Sequence, residues 1–263
     1  MIKAKKSLGQ NFLIDKNILE KIVNLTKIKG ETILEVGPGT GNLTKFILKN
    51  KPKKFFAIEK DTNLFLRLQN RFHSKLELIN KDVLDIDWSK FSYNNCLVFG
   101  NLPYNISAKL LIEWVKLNNL NKLFKKLILM FQKEVADRIV ANVDSNKYGR
   151  LTILTKWKME SRKIFDINPE NFFPKPKVKS SLVYFEPRRE FFFLKNSKSL
   201  ETVTNIFFQN KRKMIKKPLN ILFSDSSRIK EKLKLNDKVR PQNINPLTFF
   251  KKSKEYEEKI DLD

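Results

Sequence analysis

Apolar positions along the first hundred residues alternate between helical and strand spacing. Ile18, Leu19, Ile22, Val23 and Leu25 recur at helical intervals and predict a first helix ending near Lys29-Gly30. Thr32-Ile33-Leu34-Glu35-Val36 reads as a short buried strand running into Gly37-Pro38-Gly39-Thr40-Gly41, beyond which Leu43, Phe46, Ile47 and Leu48 mark a helix. The alternation then returns. A strand over 54–59 precedes a helix carrying Leu64, Leu66 and Leu68, a strand over 76–80 runs into Lys81-Asp82-Val83, and a strand over 96–100 delivers Asn101-Leu102-Pro103-Tyr104. Residues 126–131 read as a fifth strand, followed by a helix over 134–140, an extended Pro-rich loop over 169–176 and a late strand over 181–185. After Pro187-Arg188-Arg189 the strand signal stops, and short helical patterns rich in Lys and Arg begin near residue 195. No long repeat is present, which sets solenoids and propellers aside. Such a pattern predicts an α/β domain over 1–188, with a mostly parallel sheet flanked by helices and ligands at the carboxyl ends of its strands. A small all-α domain is expected over 189–263.

Charge changes the picture next. Lys plus Arg number 53 against 28 Asp plus Glu, a formal net charge of +25, so a polyanion is the expected partner. An AT-rich genome accounts for part of the Lys count, yet the excess still creates a positive surface potential. Nucleic acid is favoured over a membrane surface because no basic amphipathic helix is long enough to anchor one. No run approaches the roughly 20 apolar residues of a membrane span. Met1-Ile2-Lys3-Ala4-Lys5-Lys6 leads into a polar run instead of an apolar signal core, so a cytoplasmic location is expected. The single Cys96 and single His73 argue against an internal disulfide, a metal site and Ser-His-Asp chemistry, and both read as structural.

The strand ends carry the candidate chemistry. Gly37-Pro38-Gly39-Thr40-Gly41 lets backbone approach a ligand closely, but Asn42 stands where the dinucleotide fingerprint needs its third glycine, so pyrophosphate binding is disfavoured. Glu35 and Glu59 face the same crevice. An acid at the end of the second strand can accept from both hydroxyls of a ribose, and Asp82, at the end of the third, is placed to bind an adenine amino group. At the fourth strand end, the Asn101 amide oxygen and a backbone carbonyl of the Leu102-Pro103 turn can hold the two N–H bonds of an exocyclic adenine nitrogen. Pro103 fixes that turn, and Tyr104 offers a face on which a flipped base can stack.

These residues resemble the ribosomal RNA adenine dimethyltransferases. The matching runs are Leu8-Gly9-Gln10-Asn11-Phe12-Leu13, Glu35-Val36-Gly37-Pro38-Gly39, Ile58-Glu59-Lys60-Asp61, Asn101-Leu102-Pro103-Tyr104-Asn105-Ile106-Ser107, Gln132-Lys133-Glu134-Val135-Ala136-Asp137-Arg138, Tyr148-Gly149-Arg150-Leu151, and Phe172 through Pro176-Lys177-Val178 to Ser181. The resemblance implies a Rossmann-like class I methyltransferase domain with a seven-stranded sheet. It implies S-adenosylmethionine as methyl donor, contacted by Asn11, Leu13, Gly37, Glu59, Asp82 and Asn101, with no metal. Tyr104 and Phe172 are implied to sandwich the target adenine. A stretch containing Asn210, Lys211, Arg212 and Lys213 resembles a basic RNA-binding helix of the family, although Asn210, Lys211 and Gln242 depart from its usual pattern. The implied reaction dimethylates two adjacent adenines of a small-subunit ribosomal RNA hairpin, by a monomer acting on an immature small subunit. Two alternatives stay open: a large-subunit enzyme of the macrolide-resistance type, and a non-catalytic assembly or transcription factor that keeps the fold for binding nucleic acid.

Overall fold

In the computed structural model, which describes residues 4–5, 8–236 and 238–260, a seven-stranded sheet holds the centre of the first of two compact units. The reading of the chain's first residues rests partly on 1–3 and 6–7, which lie outside the described residues. The strands are β1 (Phe12–Leu13), β2 (Thr32–Val36), β3 (Lys54–Glu59), β4 (Glu77–Asn80), β5 (Cys96–Gly100), β6 (Phe124–Gln132), β7 (Met159–Ile167), β8 (Phe172–Phe173) and β9 (Ser180–Pro187). Seven of them form one sheet in the order β4-β3-β2-β5-β6-β9-β7. The pairs from β4 to β6 are parallel and β6 pairs with β9 antiparallel, giving the mostly parallel sheet expected. β1 and β8 form a separate antiparallel pair, Phe12 opposite Phe173 and Leu13 opposite Phe172.

The first unit's helices are α1 (Lys16–Val23), α2 (Asn42–Lys49), α3 (Thr62–Phe72), α4 (Tyr104–Lys116), α5 (Leu120–Leu123) and the start of α6 (Lys133–Ile139). Asp15 and Asp61 cap α1 and α3 by accepting hydrogen bonds from the Ile18 and Asn63 amides, which satisfies backbone donors that a helix start leaves unpaired. Apolar faces then meet the sheet: Leu19, Ile22 and Val23 of α1 and Ile47 of α2 pack with Ile33, Phe55, Leu97 and Phe99 from the strands. Each such buried side chain contributes about 1.5–3 kcal/mol.

The division of the chain differs from the sequence expectation. One unit comprises residues up to Ala136 together with Arg162–Pro187, and the other comprises Asp137–Ser161 with the residues from Arg188 onward. The stretch 137–161 groups with the residues from Arg188 onward, so in this division 1–188 is not one uninterrupted body. The second unit's helices are α7 (Arg150–Lys158), α8 (Ser197–Phe208), α9 (Lys216–Leu222), α10 (Ser226–Lys232) and α11 (Pro246–Ile260). Phe207 of α8 meets Phe249 of α11 edge to face at 5.5 Å between ring centres. The Lys252 ammonium lies buried over both rings, and burial pushes its pKa down to about 7.

Candidate methyl-transfer site

At the carboxyl ends of β2, β3 and β5 the first unit encloses a cavity of about 180 Å³. Its floor is the glycine turn. Gly39 has φ +59°, and a Cβ there would lie 2.9 Å from the Phe12 ring, while one on Gly41, at φ +77°, would lie 2.7 Å from Phe72. Larger residues are therefore excluded by both backbone conformation and contact.

Two buried acids stand beside this turn. Glu59 accepts from the Gly39 amide through one carboxylate oxygen and from the Asp61 amide through the other, both at 2.9 Å. Glu35 accepts a 2.7 Å bond from the Thr44 hydroxyl. Burial raises both pKa values, taking Glu35 to about 8, and the nearby Glu59 charge adds to the rise at Glu35. Among the described residues no cation pairs with either acid. Asp82 also lines the cavity, but its carboxylate caps the following turn through the Leu84 amide and pairs with the Lys60 ammonium at 2.6 Å, which together hold its pKa low despite partial burial.

An amino-terminal arm closes the side of the cavity, and Asp61 anchors it. One Asp61 oxygen accepts from the Lys5 ammonium at 2.9 Å and the other from the Gln10 amide at 3.0 Å. Asn42, the residue that breaks the dinucleotide fingerprint, donates its side-chain N–H to the Leu13 carbonyl at 2.8 Å. The position is thus a clamp on the arm instead of a phosphate-side glycine.

The arm also orients Asn101. The Asn101 Nδ2 donates to the Asn11 carbonyl at 3.1 Å, which leaves Oδ1 as an acceptor without a partner among the described residues. The Pro103 carbonyl is taken up by the Ile106 and Ser107 amides at the start of α4, whereas the Leu102 carbonyl accepts no bond among the described residues. The Tyr104 hydroxyl lies 2.6 Å from the Ser180 hydroxyl, which fixes its half-buried ring at the cavity wall, and burial raises its pKa.

The family model for ribosomal RNA adenine dimethylases matches residues 1–258. The chain belongs to this family. It is similar to the ribosomal RNA small subunit methyltransferase A of Pelagibacter ubique, with 50% identity over 98% of both chains. With that of a Wolbachia strain from Drosophila simulans it shares 39% identity over 93% of this chain and 90% of the relative. Among solved structures, a dimethyladenosine transferase from Plasmodium falciparum superposes with a TM-score of 0.80 at 29% identity, covering 94% of this chain and 98% of the other. The 23S rRNA methyltransferase ErmE shares the fold, with a TM-score of 0.68 at 20% identity over 93% and 98% of the two chains. The fold is that of the class I methyltransferases, whose methyl donor is S-adenosylmethionine.

In this dimethylase family member, Asn11, Leu13, Gly37, Glu59, Asp82, Asn101, Pro103 and Tyr104 all line one cavity. Phe172 does not join them. Its side chain is 3% exposed and packs with Leu13 in the core, while the adjacent Phe173 is 59% exposed. In a strand neighbouring side chains point to opposite faces, so only one of the two phenylalanines can be free, and here Phe172 is the buried one. The basic stretch also differs from expectation: α8 ends at Phe208, and Lys211, Arg212 and Lys213 lie in the turns before α9. Lys211 donates to the Asn146 carbonyl at 2.8 Å, and Arg212 and Lys213 are exposed. Lys5, Gln10, Asp61 and Asn42 were missed by sequence reasoning as supports of the arm. The Asp61-Thr62 helix start was their one visible signal.

Proposed function

We propose that this chain transfers methyl groups from S-adenosylmethionine to N6 of two adjacent adenines in the 3′-terminal hairpin of small-subunit ribosomal RNA. It does so as a monomer, on an immature small ribosomal subunit in the cytoplasm. The observation that carries the reading is the Asn101 amide, whose Nδ2 is held by the Asn11 carbonyl so that Oδ1 is left to accept, on the wall of the cavity that holds the glycine turn and Glu59. Membership of the family, and relatives named for the small subunit, favour this substrate over a large-subunit adenine.

The residues fit the methyl donor on electrostatic grounds. Two buried carboxyls with no cationic partner among the described residues make the cavity a place where a positive ligand is welcome, and each Glu59 oxygen keeps a lone pair for a ribose hydroxyl. When bound, S-adenosylmethionine supplies an activated methyl on a positively charged sulfur. Gly37, Asn11 and Leu13 bring backbone against it, and Asp82 accepts from its adenine amino group.

Adenine N6 is a weak nucleophile because its lone pair is delocalised into the ring. In the first transfer Asn101 Oδ1 and the Leu102 carbonyl accept its two N–H bonds, and in the second the one N–H that remains, which favours a tetrahedral nitrogen with the lone pair directed at the methyl. The nitrogen releases one proton to solvent per methyl gained. Tyr104, held by Ser180, stacks on the flipped base. Orientation and exclusion of water supply the rate, and no strong general base is needed. Arg212 and Lys213, with Lys211, contact RNA phosphates from the second unit. Mass spectrometry of ribosomal RNA from cells with and without the gene tests the reading: dimethyladenosine at adjacent small-subunit positions disappears without it. Loss of methylation at a large-subunit adenine instead, or no change in either RNA, contradicts it.

A further inference from the structure

A second concavity, an open groove of about 1080 Å³ in the first unit, shares no lining residue with the methyl-transfer cavity. Lys45 and Lys49 enter it from α2, Lys51, Lys53 and Lys54 from the turn and first residue of β3, and Arg71 and Lys75 from the end of α3. All seven are exposed, and none forms an ion pair among the described residues. The one acid in the lining, Glu77, is engaged by the Tyr93 hydroxyl at 3.3 Å. Helix dipoles account for Lys49 and Arg71, which stand in the last turns of α2 and α3. Lys54 stands over the Tyr93 ring at 5.7 Å, and neither kind of contact accounts for Lys51, Lys53 and Lys75, which lie outside those helices.

Clustering like charges in a concave surface is unfavourable by itself and focuses a positive potential outward. Among the described residues of the lining the buried ones are Phe55, Phe56 and Phe72, so no buried polar side chain is there to fix a small anion. Exposed cations spread along an open groove instead suit a phosphodiester backbone. Lys53 and Lys54 stand at the amino end of the strand whose carboxyl end carries Glu59, and six strand residues span roughly 16 Å. We infer that this groove binds the phosphate backbone of the same small-subunit ribosomal RNA at a segment other than the methylated hairpin. The inference rests on the proposed function and names a second contact for its substrate.

The test combines Lys45→Gln, Lys49→Gln, Lys53→Gln and Lys75→Gln in the full chain, with a thermal melt confirming that the protein folds. Binding is measured against salt for whole small-subunit ribosomal RNA and for the isolated 3′ hairpin, beside phosphatidylglycerol vesicles. For the whole RNA, the slope of log affinity against log salt falls by about three units and affinity near 0.15 M salt drops at least about tenfold. Hairpin affinity and the affinity for S-adenosylmethionine stay unchanged. An unchanged slope with whole RNA overturns the inference. So does an equal loss on the hairpin, and so does loss of vesicle binding with RNA binding intact, which makes the groove a membrane contact. A wild-type chain that fails to methylate immature small subunits defeats the proposed function, while the slope comparison still reports on the groove.

Discussion

At the carboxyl end of β3 the Glu59 carboxyl is buried and held by backbone amides; at its amino end the charge is positive and exposed, with no ion pair among the described residues. The first arrangement is rigid. Glu59 is fixed by the turn it helps to shape, and Asn101 is fixed by the arm that Asp61 and Asn42 hold in place. The groove places no such demand on geometry, because a lysine tracking a phosphate works from many rotamers. A site that must align a methyl group with a nitrogen lone pair is therefore built from backbone and short side chains, and one that must only hold a polyanion is built from long flexible ones. Substitutions should separate the two.

The largest expected effect is on the cavity's stored electrostatic cost. Glu35 ionises near pH 8 in the folded chain against an ordinary value of 4.5. Between those values the unfolded chain has lost its proton while the folded one keeps it, so stability falls as pH rises from about 4.5 to 8 and is level on either side. Glu35→Gln removes that dependence. Thermal midpoints at pH 5 and pH 8 should differ less in the variant than in the wild type, by the equivalent of on the order of 4 kcal/mol. Parallel pH profiles would show that the acid is not held at a cost.

Next in size is the chemical step. If Asn101 acts mainly in the transition state, Asn101→Ala should lower the single-turnover rate at saturating donor about a hundredfold or more, with RNA affinity little changed. A wild-type rate would remove its catalytic role. Glu59→Ala should weaken donor binding by calorimetry at least about tenfold, since a truncated acceptor loses charge-assisted hydrogen bonds. Equal affinity would reassign the ribose contact.

How the sequence anticipates these parts differs between them. β2, β3 and β5 stand where their apolar runs put them, because strands buried on both faces leave continuous apolar signatures. β7 escaped notice because Met-Glu-Ser-Arg-Lys-Ile-Phe-Asp-Ile is a polar edge strand at the end of the sheet order. α7 escaped because it is buried on several sides, with Thr152, Ile153, Leu154, Thr155 and Trp157 all inside and no single apolar stripe. The glycine turn, Glu59 and the run from Asn101 to Tyr104 were legible from their chemistry at strand ends. Which of Phe172 and Phe173 faces inward was not, since that depends on the two-residue pairing with β1 across long sequence separation. The Asp61 anchor was hidden for the same reason, its partners lying 51 and 56 residues away.

The smallest effects belong to the basic residues. Replacing Lys53 alone by Gln should reduce the salt slope for whole small-subunit RNA by about one unit, and replacing Arg212 or Lys213 in the second unit should do the same. Neither change should alter donor affinity. A lysine variant that lost donor binding would erase the distinction between the two ends of β3.

The most direct test incubates the purified chain with S-adenosylmethionine and immature small ribosomal subunits that lack the modification, then locates the methyl groups by mass spectrometry of nuclease fragments of their RNA. Two adjacent N6,N6-dimethyladenosines should form with the wild type, and none should form with Asn101→Ala over the same time. Methyl groups at other nucleotides, or subunits left unmodified by the wild type, would contradict the account.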